Sequence, residues 1–316
     1  MKPCADEKRD FMHKFQNNLV VGISSRALFD LEEENNIYEE QGVEAYSRYQ
    51  IEHENDILKP GTGFALIKAL LKLNDPVSGE RKTEIIVMSR NSADTSLRIF
   101  NSIKHYGLDI SRAALAGGAS LAPYLSAFKT DLFLSAKESD VQEAIDAGIA
   151  AAIIYTHNLP LEETKEINQI RIAFDGDAVL FSDESEKIYK AQGIEAFQEN
   201  ERKNAGNPLP EGPFAKLLKT ISAIQKGYDK DSSPIRTALV TARNAPAHER
   251  VIRTLRAWDV RIDEAFFLGG MSKKDVLKAF GAHIFFDDQA IHTDPASEVV
   301  PSARVPYKTE KDKTKL

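Results

Sequence analysis

The sequence predicts an α/β protein whose parallel-sheet motif is written twice along the chain. Two observations carry this. Short β-branched runs alternate with amphipathic stretches throughout, and the segment from Val21 to Tyr155 can be laid on that from Ala173 to Tyr307 with a shift between 150 and 153 residues. Alternation of strand and helix implies crossover connections and a parallel sheet covered on both faces. A period of that size is a domain length and not a solenoid repeat, so a tandem duplication is expected.

The register holds at many points. "RALFD" lies on "AVLFS", pairing Phe29 with Phe181 (181 − 29 = 152), and "IYEEQGVEAY" lies on "IYKAQGIEAF", pairing Gln41 with Gln192 (192 − 41 = 151). Arg90-Asn91 faces Arg243-Asn244, Gly117-Gly118 faces Gly269-Gly270, and "IIY" ending at Tyr155 faces "VPY" ending at Tyr307. The expected organisation is an extension over 1–18, a first domain over 19–156, a linker over 157–169, a second domain over 170–307 and a disordered tail over 308–316.

Each element of the second copy has its own signal. Strands are predicted for "IRIAFD" ending at Asp175, "RTALVT" ending at Thr241, "AFFLG" ending at Gly269, "HIFFDD" ending at Asp288 and the short "ARVPY". Helical spacing marks the stretches Phe214 to Gln225, His248 to Trp258 and Lys273 to Phe280. The insertion at about 183–233 predicts a small helical cap. Its aromatics Tyr189, Phe197 and Phe214 have counterparts in Tyr38, Tyr46 and Phe64, which favours packing over base stacking; Asn200, Arg202 and Asn204 have none and are weak candidates for substrate contact.

A chain of 316 residues with 42% hydrophobic side chains can bury two cores of ordinary size. The lone Cys4 allows no internal disulfide, the start has no signal-peptide run and no segment reaches transmembrane length, so a cytoplasmic protein away from membranes is expected. A net charge of −7 gives no footprint for a nucleic-acid polymer, whose binding is driven by Lys and Arg. A small anionic substrate remains compatible with it.

In parallel sheets reactive groups gather at the carboxyl ends of the strands. There the second copy places Asp175 and Asp177, then Thr241, then Lys273 in "GGMSKKD", then Asp287 and Asp288. Carboxylates crowded at one edge call for a cation, and hard oxygen ligands select Mg2+, which in turn implies phosphate. The first copy serves as an internal control. By sequence register, Ile23 stands opposite Asp175, Ser25 opposite Asp177, Met88 opposite Thr241, Leu121 opposite Lys273, and Ser135 and Ala136 opposite Asp287 and Asp288. Residues shared by both copies read as fold, and residues of one copy as function. On that logic Arg243 and Asn244 shape a turn.

The four motifs "FDGDAVLFSDES", "LVTARNAP", "GGMSKKD" and "HIFFDDQ" resemble those of the haloacid dehalogenase superfamily of phosphatases. Together with "SSRALFDLEEENNIYEEQGVEAYSRYQIEHEN" in the first copy, the chain is similar over nearly its whole length to the cytosolic 5′-nucleotidase I family. The resemblance implies two haloacid-dehalogenase-like Rossmannoid sheets, each with a small helical cap, the first catalytically degenerate. It implies Mg2+-dependent hydrolysis of nucleoside 5′-monophosphates, AMP favoured. Asp175 would be the nucleophile and Asp177 the general acid and base. Thr241, Lys273 and the backbone at Gly176 and Ala242 would hold phosphate, and Asp175, Asp177, Asp287 and Asp288 would be the metal residues. The motif leaves Lys273 and Lys274 as alternatives, and the family pattern favours Lys273. A nucleotide effector near Ser24, Ser25 and Ser135 and a homo-oligomer are admitted. The rivals are a phosphatase or phosphotransferase for another small phosphomonoester and a non-catalytic nucleotide sensor.

Overall fold

A computed structural model describes residues 18–75, 77–156 and 166–309. Cys4, most of the extension, most of the linker and the tail from 310 lie outside the described residues. The first half runs β1 (Leu19–Ile23), α1 (Ser25–Leu28), α2 (Glu32–Glu52), α3 (Phe64–Leu71), β2 (Thr83–Ser89), α4 (Leu97–His105), β3 (Arg112–Leu115), α5 (Ala122–Ala127), β4 (Leu132–Ser135), α6 (Glu138–Asp146) and β5 (Ala151–Ile154). The second runs β6 (Ile170–Phe174), a π turn (Gly176–Leu180), α7 (Glu184–Lys203), α8 (Ala215–Lys226), β7 (Ile235–Thr241), α9 (His248–Ala257), β8 (Glu264–Phe267), α10 (Lys274–Phe280), β9 (Ile284–Asp287), α11 (Ala290–Ser297) and β10 (Ser302–Arg304).

The ten strands among the described residues form one sheet, ordered β3-β2-β1-β4-β5-β10-β9-β6-β7-β8. Every pairing is parallel except the central one, where β10 runs antiparallel to β5 with Ala303 opposite Ile154. The central strands LVVGI, TEIIVMS and IRTALVT are apolar without alternation because helices cover both faces, and β1 and β2 are buried along their whole length. Strand order reads alike from either end toward the β5–β10 seam. That seam reverses direction, so the strands of 19–154 and those of 170–304 point their carboxyl ends at opposite edges of the sheet.

The halves also share packing. Helix α8 lies against β1 and α3 against β6, so each half lays a helix on the other's first strand. One hydrophobic cluster accordingly contains Val21 and Phe133 together with Phe174 and Leu218. Of the stretch 183–233, α7 forms the helical insertion while α8 packs on the sheet. The element at 290–297 has no strong helical spacing and carries Pro295 inside it, which explains why the pattern did not announce a helix there.

Correspondence between the halves reaches single dihedral angles. Gly42 in α2 has φ 83° and ψ −178°, and Gly193 in α7 has φ 84° and ψ −176°. Only glycine adopts that region without strain, so each long helix breaks at the same place for the same reason.

Candidate metal and phosphate site

Three strand ends and the start of α10 converge at the edge where β6, β7 and β9 finish. Asp175 follows β6, its N–H donating to the Phe286 carbonyl of β9 at 2.8 Å. Asp287 ends β9 and Asp288 follows it, and carboxylate oxygens of Asp175, Asp287 and Asp288 lie within 4.8 Å of one another, all three residues buried. Lys273, at the N-terminal end of α10, reaches into this cluster. Its Nζ donates to Asp175 Oδ1 and Asp287 Oδ2, each at 2.6 Å, and the residue is 2% exposed. Lys274 turns away to Glu298, so Lys273 is the lysine brought to the cluster.

Three buried carboxylates lie together, and the one ammonium is bonded to two of them. Burial, then the charges of its neighbours, pushes the Asp175 carboxyl up to about 7 against the pull of Lys273. Asp288 is pushed up to about 8 by burial and by the charges of Asp175, Asp287 and Glu186, and burial raises Asp287 as well. Burial alone would lower Lys273, but Asp175 and Asp287 outweigh it and raise the ammonium above its ordinary range. Among the described residues, the hydrogen bonds leave one buried oxygen of the cluster over. Asp287 accepts from Lys273 and from the Gln289 N–H, and Asp288 Oδ2 accepts from Tyr307 Oη, whereas Asp288 Oδ1 is buried with no partner. A divalent cation would supply the missing charge and take the orphaned oxygen, so these residues fit a metal of hard-oxygen preference.

Asp177 is brought to the same edge with its carboxylate outside that cluster. Arg243 donates to both its oxygens, Nε to Oδ2 at 2.7 Å and Nη2 to Oδ1 at 2.6 Å. Arg243 is buried, also pairs with Glu201, and lies over the Phe197 ring at 5.3 Å. Glu201 in turn takes Ser185 Oγ and Arg250 Nη1, and against burial Arg243 first, then Ser185 and Arg250, hold its carboxyl below the usual range. Reading Arg243 as a turn-former understates it. The signal lay in its partners: its counterpart Arg90 binds Asp140 and Glu143 instead.

Thr241 closes β7, and its Oγ1 accepts the Arg243 N–H at 3.2 Å. A Cβ on Gly176 would come within 3.3 Å of that Oγ1, so glycine keeps the space beside the threonine open. Ala242 is exposed. Of the cap aromatics, Phe197 and Phe214 are buried, while Tyr189 is 51% exposed. Asn200 donates to Glu201, and Arg202 is paired with Glu199 on the surface.

The hydrogen-bond frame moves two pairings of the halves by one residue. Ser24 N–H donates to Leu134 O as Asp175 N–H donates to Phe286 O, so Ser24, and not Ile23, stands opposite Asp175. Ser89 Oγ accepts the Asn91 N–H as Thr241 Oγ1 accepts that of Arg243, so Ser89, and not Met88, stands opposite Thr241. Between the first strand and Phe29 or Phe181 the first half has a four-residue α turn and the second a five-residue π turn, with Ala178 at φ 61°. The second half therefore carries one additional residue in the turn that holds Asp177. Sequence register cannot see this, because the one-residue drift can be absorbed anywhere along a short unconserved stretch.

A family model described as 5′-nucleotidase matches residues 11–312 of the chain. The chain belongs to the 5′-nucleotidase family. It is 40% identical over 301 residues to human cytosolic 5′-nucleotidase 1B, covering 92% of this chain and 49% of that protein. It thus spans about half the length of the curated relative it matches. Two solved structures of a Pnkp1/Rnl/Hen1 RNA repair complex align at TM-scores of 0.31 and 0.32 with 11% and 14% identity, covering 93% and 97% of this chain and 97% and 93% of theirs. A likeness that slight informs neither fold nor chemistry. Among the described residues of this 5′-nucleotidase family member, no helix is long and apolar enough to cross a membrane.

Proposed function

We propose that this chain is a Mg2+-dependent 5′-nucleotidase that hydrolyses nucleoside 5′-monophosphates, AMP favoured, to nucleoside and phosphate. The observation that carries it is the buried cluster of Asp175, Asp287 and Asp288, with Lys273 bridging two of them and Asp288 Oδ1 unpartnered, in a chain of this family.

Asp175 is the nucleophile. A carboxylate oxygen attacks phosphorus, the new P–O bond forms as the bond to the ribose 5′-oxygen breaks, and an aspartyl phosphate results. Lys273, bonded to Asp175 Oδ1, keeps that carboxylate oriented and sets positive charge beside the phosphoryl oxygens. Thr241 and the backbone N–H groups around Gly176 and Ala242 hold the remaining oxygens. Asp177 gives a proton to the departing 5′-oxygen, then takes one from the water that attacks phosphorus and releases Asp175. Since Arg243 occupies both Asp177 oxygens, Asp177 must leave part of that pairing to act. Asp175, Asp287 and Asp288 would hold the metal, with Asp288 Oδ1 as a direct ligand and Asp287, engaged at both oxygens, the more indirect partner. When bound, Mg2+ neutralises the carboxylates and offsets charge on the transferring phosphoryl group.

The matching element order, the paired glycine kinks and the seam support a tandem duplication whose first half has lost catalysis. A cytoplasmic location is part of the same reading.

The test is phosphate release from a panel of nucleoside monophosphates and sugar phosphates, with Mg2+ or EDTA, comparing the wild type with Asp175→Asn. Metal-dependent release, fastest from AMP and lost in the variant, is the expected outcome. Release from sugar phosphates alone would replace the substrate, and binding without release would favour a sensor.

A further inference from the structure

The chain does not stop at β10. Residues 304–309 cross from the second half onto α6 of the first. Arg304 Nη2 donates to Glu138 Oε1 at 2.7 Å, Gln142 Nε2 donates to the Tyr307 carbonyl at 2.9 Å, and the Thr309 N–H donates to Asp146 Oδ1 at 2.7 Å. At the other end the Val305 N–H donates to the Asp287 carbonyl at 2.9 Å. The strap is thus gripped by α6 on one side and by the end of β9 on the other.

Midway along it, Tyr307 turns its hydroxyl back into the second half. Oη meets Asp288 Oδ2 and, at 2.7 Å, Glu186 Oε2 in the first turn of α7. Glu186 also takes Gln289 Nε2 at 3.3 Å and Lys190 Nζ at 2.7 Å. A phenol has one proton to donate, so this hydroxyl sits between a carboxylate of the cluster and a carboxylate of the helical insertion. Its effect on Asp288 is directional. With Oδ2 tied to the tyrosine, the unpartnered Oδ1 is the oxygen left for the cluster.

The other half supplies the contrast. Tyr155 occupies the corresponding place after β5 and also crosses the seam, but its Oη meets Asp294 at 2.6 Å and Thr293 at 2.9 Å on α11, far in sequence from Ser24 and Ser135. Both tyrosines tie the halves together, and one of them also touches a residue of the acidic cluster.

We infer that Tyr307 is a positioning residue for the metal centre, orienting Asp288 from a strap that the first half holds in place. This rests on the reading of Asp175, Asp287 and Asp288 as a divalent-cation site. It gives the first half a part in the activity without any chemistry of its own: α6 fixes the strap, the strap fixes Tyr307, and Tyr307 fixes the ligand. Hydrogen-bond partners of ligating carboxylates typically change metal affinity by about 10–100-fold when removed.

The experiment is calorimetric titration of the purified full chain with Mg2+ and with Mn2+, without substrate, for the wild type, Tyr307→Phe, Asp146→Ala and Tyr155→Phe. Tyr307→Phe removes only a hydroxyl and is expected to weaken binding about tenfold. Asp146→Ala, which loosens the strap from the first half, should weaken it by a smaller factor, and Tyr155→Phe should leave it unchanged. Phosphate release by Tyr307→Phe should return toward the wild-type rate as Mg2+ is raised, which a merely structural loss would not allow. Unchanged affinity in Tyr307→Phe beside a wild type that binds the ion overturns the role of Tyr307 alone. A wild type that takes up neither ion overturns the metal reading, and this inference with it.

Discussion

At the carboxyl ends of β1, β2 and β4 stand hydroxyls: Ser24, Ser25, Ser89 and Ser135, tied to one another or to local N–H groups. At the corresponding ends of β6, β7 and β9 stand Asp175, Gly176, Thr241, Asp287 and Asp288, with a lysine driven into their midst. Apart from the one-residue-longer turn after β6, the backbone frame corresponds, down to the glycine pair at φ 54° and 90° in one half and 60° and 88° in the other. The difference teaches that the fold is indifferent to what sits at these ends. Short hydroxyls close the frame with local hydrogen bonds, whereas buried carboxylates leave an imbalance of charge that folding does not require and chemistry can use.

The sharpest way to break this comparison is to remove one group from each half. Asp175→Asn should lower phosphate release by at least about a thousandfold, as expected for a lost nucleophile. Ser24→Ala should cost only the helix cap, about 1 kcal/mol in urea unfolding, and leave turnover in place. Comparable losses of turnover from both would sink the division of labour.

Next come the paired arginines. Arg243→Ala leaves Glu201 buried with Arg250 as its one remaining cation and strands Asp177, so a loss of about 3 kcal/mol is expected. Arg90 is 24% exposed and one of its partners 40%, so Arg90→Ala should cost about 1 kcal/mol. Equal costs by chemical denaturation would mean that the two arginines do the same work.

The pH dependence of the metal-free chain tests the charge imbalance itself. Asp175 and Asp288 are raised to about 7 and about 8, so between pH 5 and 8 the folded chain holds protons that the unfolded chain has released. Stability should therefore fall as pH rises through that window and level off above it. Excess Mg2+ should flatten the slope, and a slope that persists unchanged in saturating Mg2+ would contradict the assignment. Smallest is the turn. Ala178→Gly relieves a positive φ that alanine rarely adopts, and thermal melts should shift upward by at most about 1 kcal/mol of stability. A clear loss would show that Ala178 is held by its side chain.

How much was legible follows from where each signal lies. Strands ending at Thr241 and near Asp175 and Asp288 and helices over 215–226, 248–257 and 274–280 follow the sequence reading within a residue or two, because local periodicity specifies them. Arg243 reads as a turn-former because it recurs as Arg90, and Tyr307 enters only as a mark of the repeat opposite Tyr155. A comparison of residue types sees the conserved arginine and misses that its acids have moved from Asp140 and Glu143 to Asp177 and Glu201. Partners distinguish the two arginines, and partners are not a property of one position.

The sequence by itself determined the alternation of strand and helix, the glycines that break α2 and α7, and the acids, threonine and lysine at strand and helix ends, since all are encoded within a few residues of chain. Only the tertiary structure decided that β5 and β10 join antiparallel into one sheet, which sends the serine ends and the aspartate ends to opposite edges. It also decided that Lys273 and not Lys274 enters the cluster, and that a strap held by α6 carries Tyr307 to Asp288. These depend on groups that meet across 14 to 165 residues of chain, where neither propensity nor spacing acts and only packing and hydrogen-bond satisfaction select the partner.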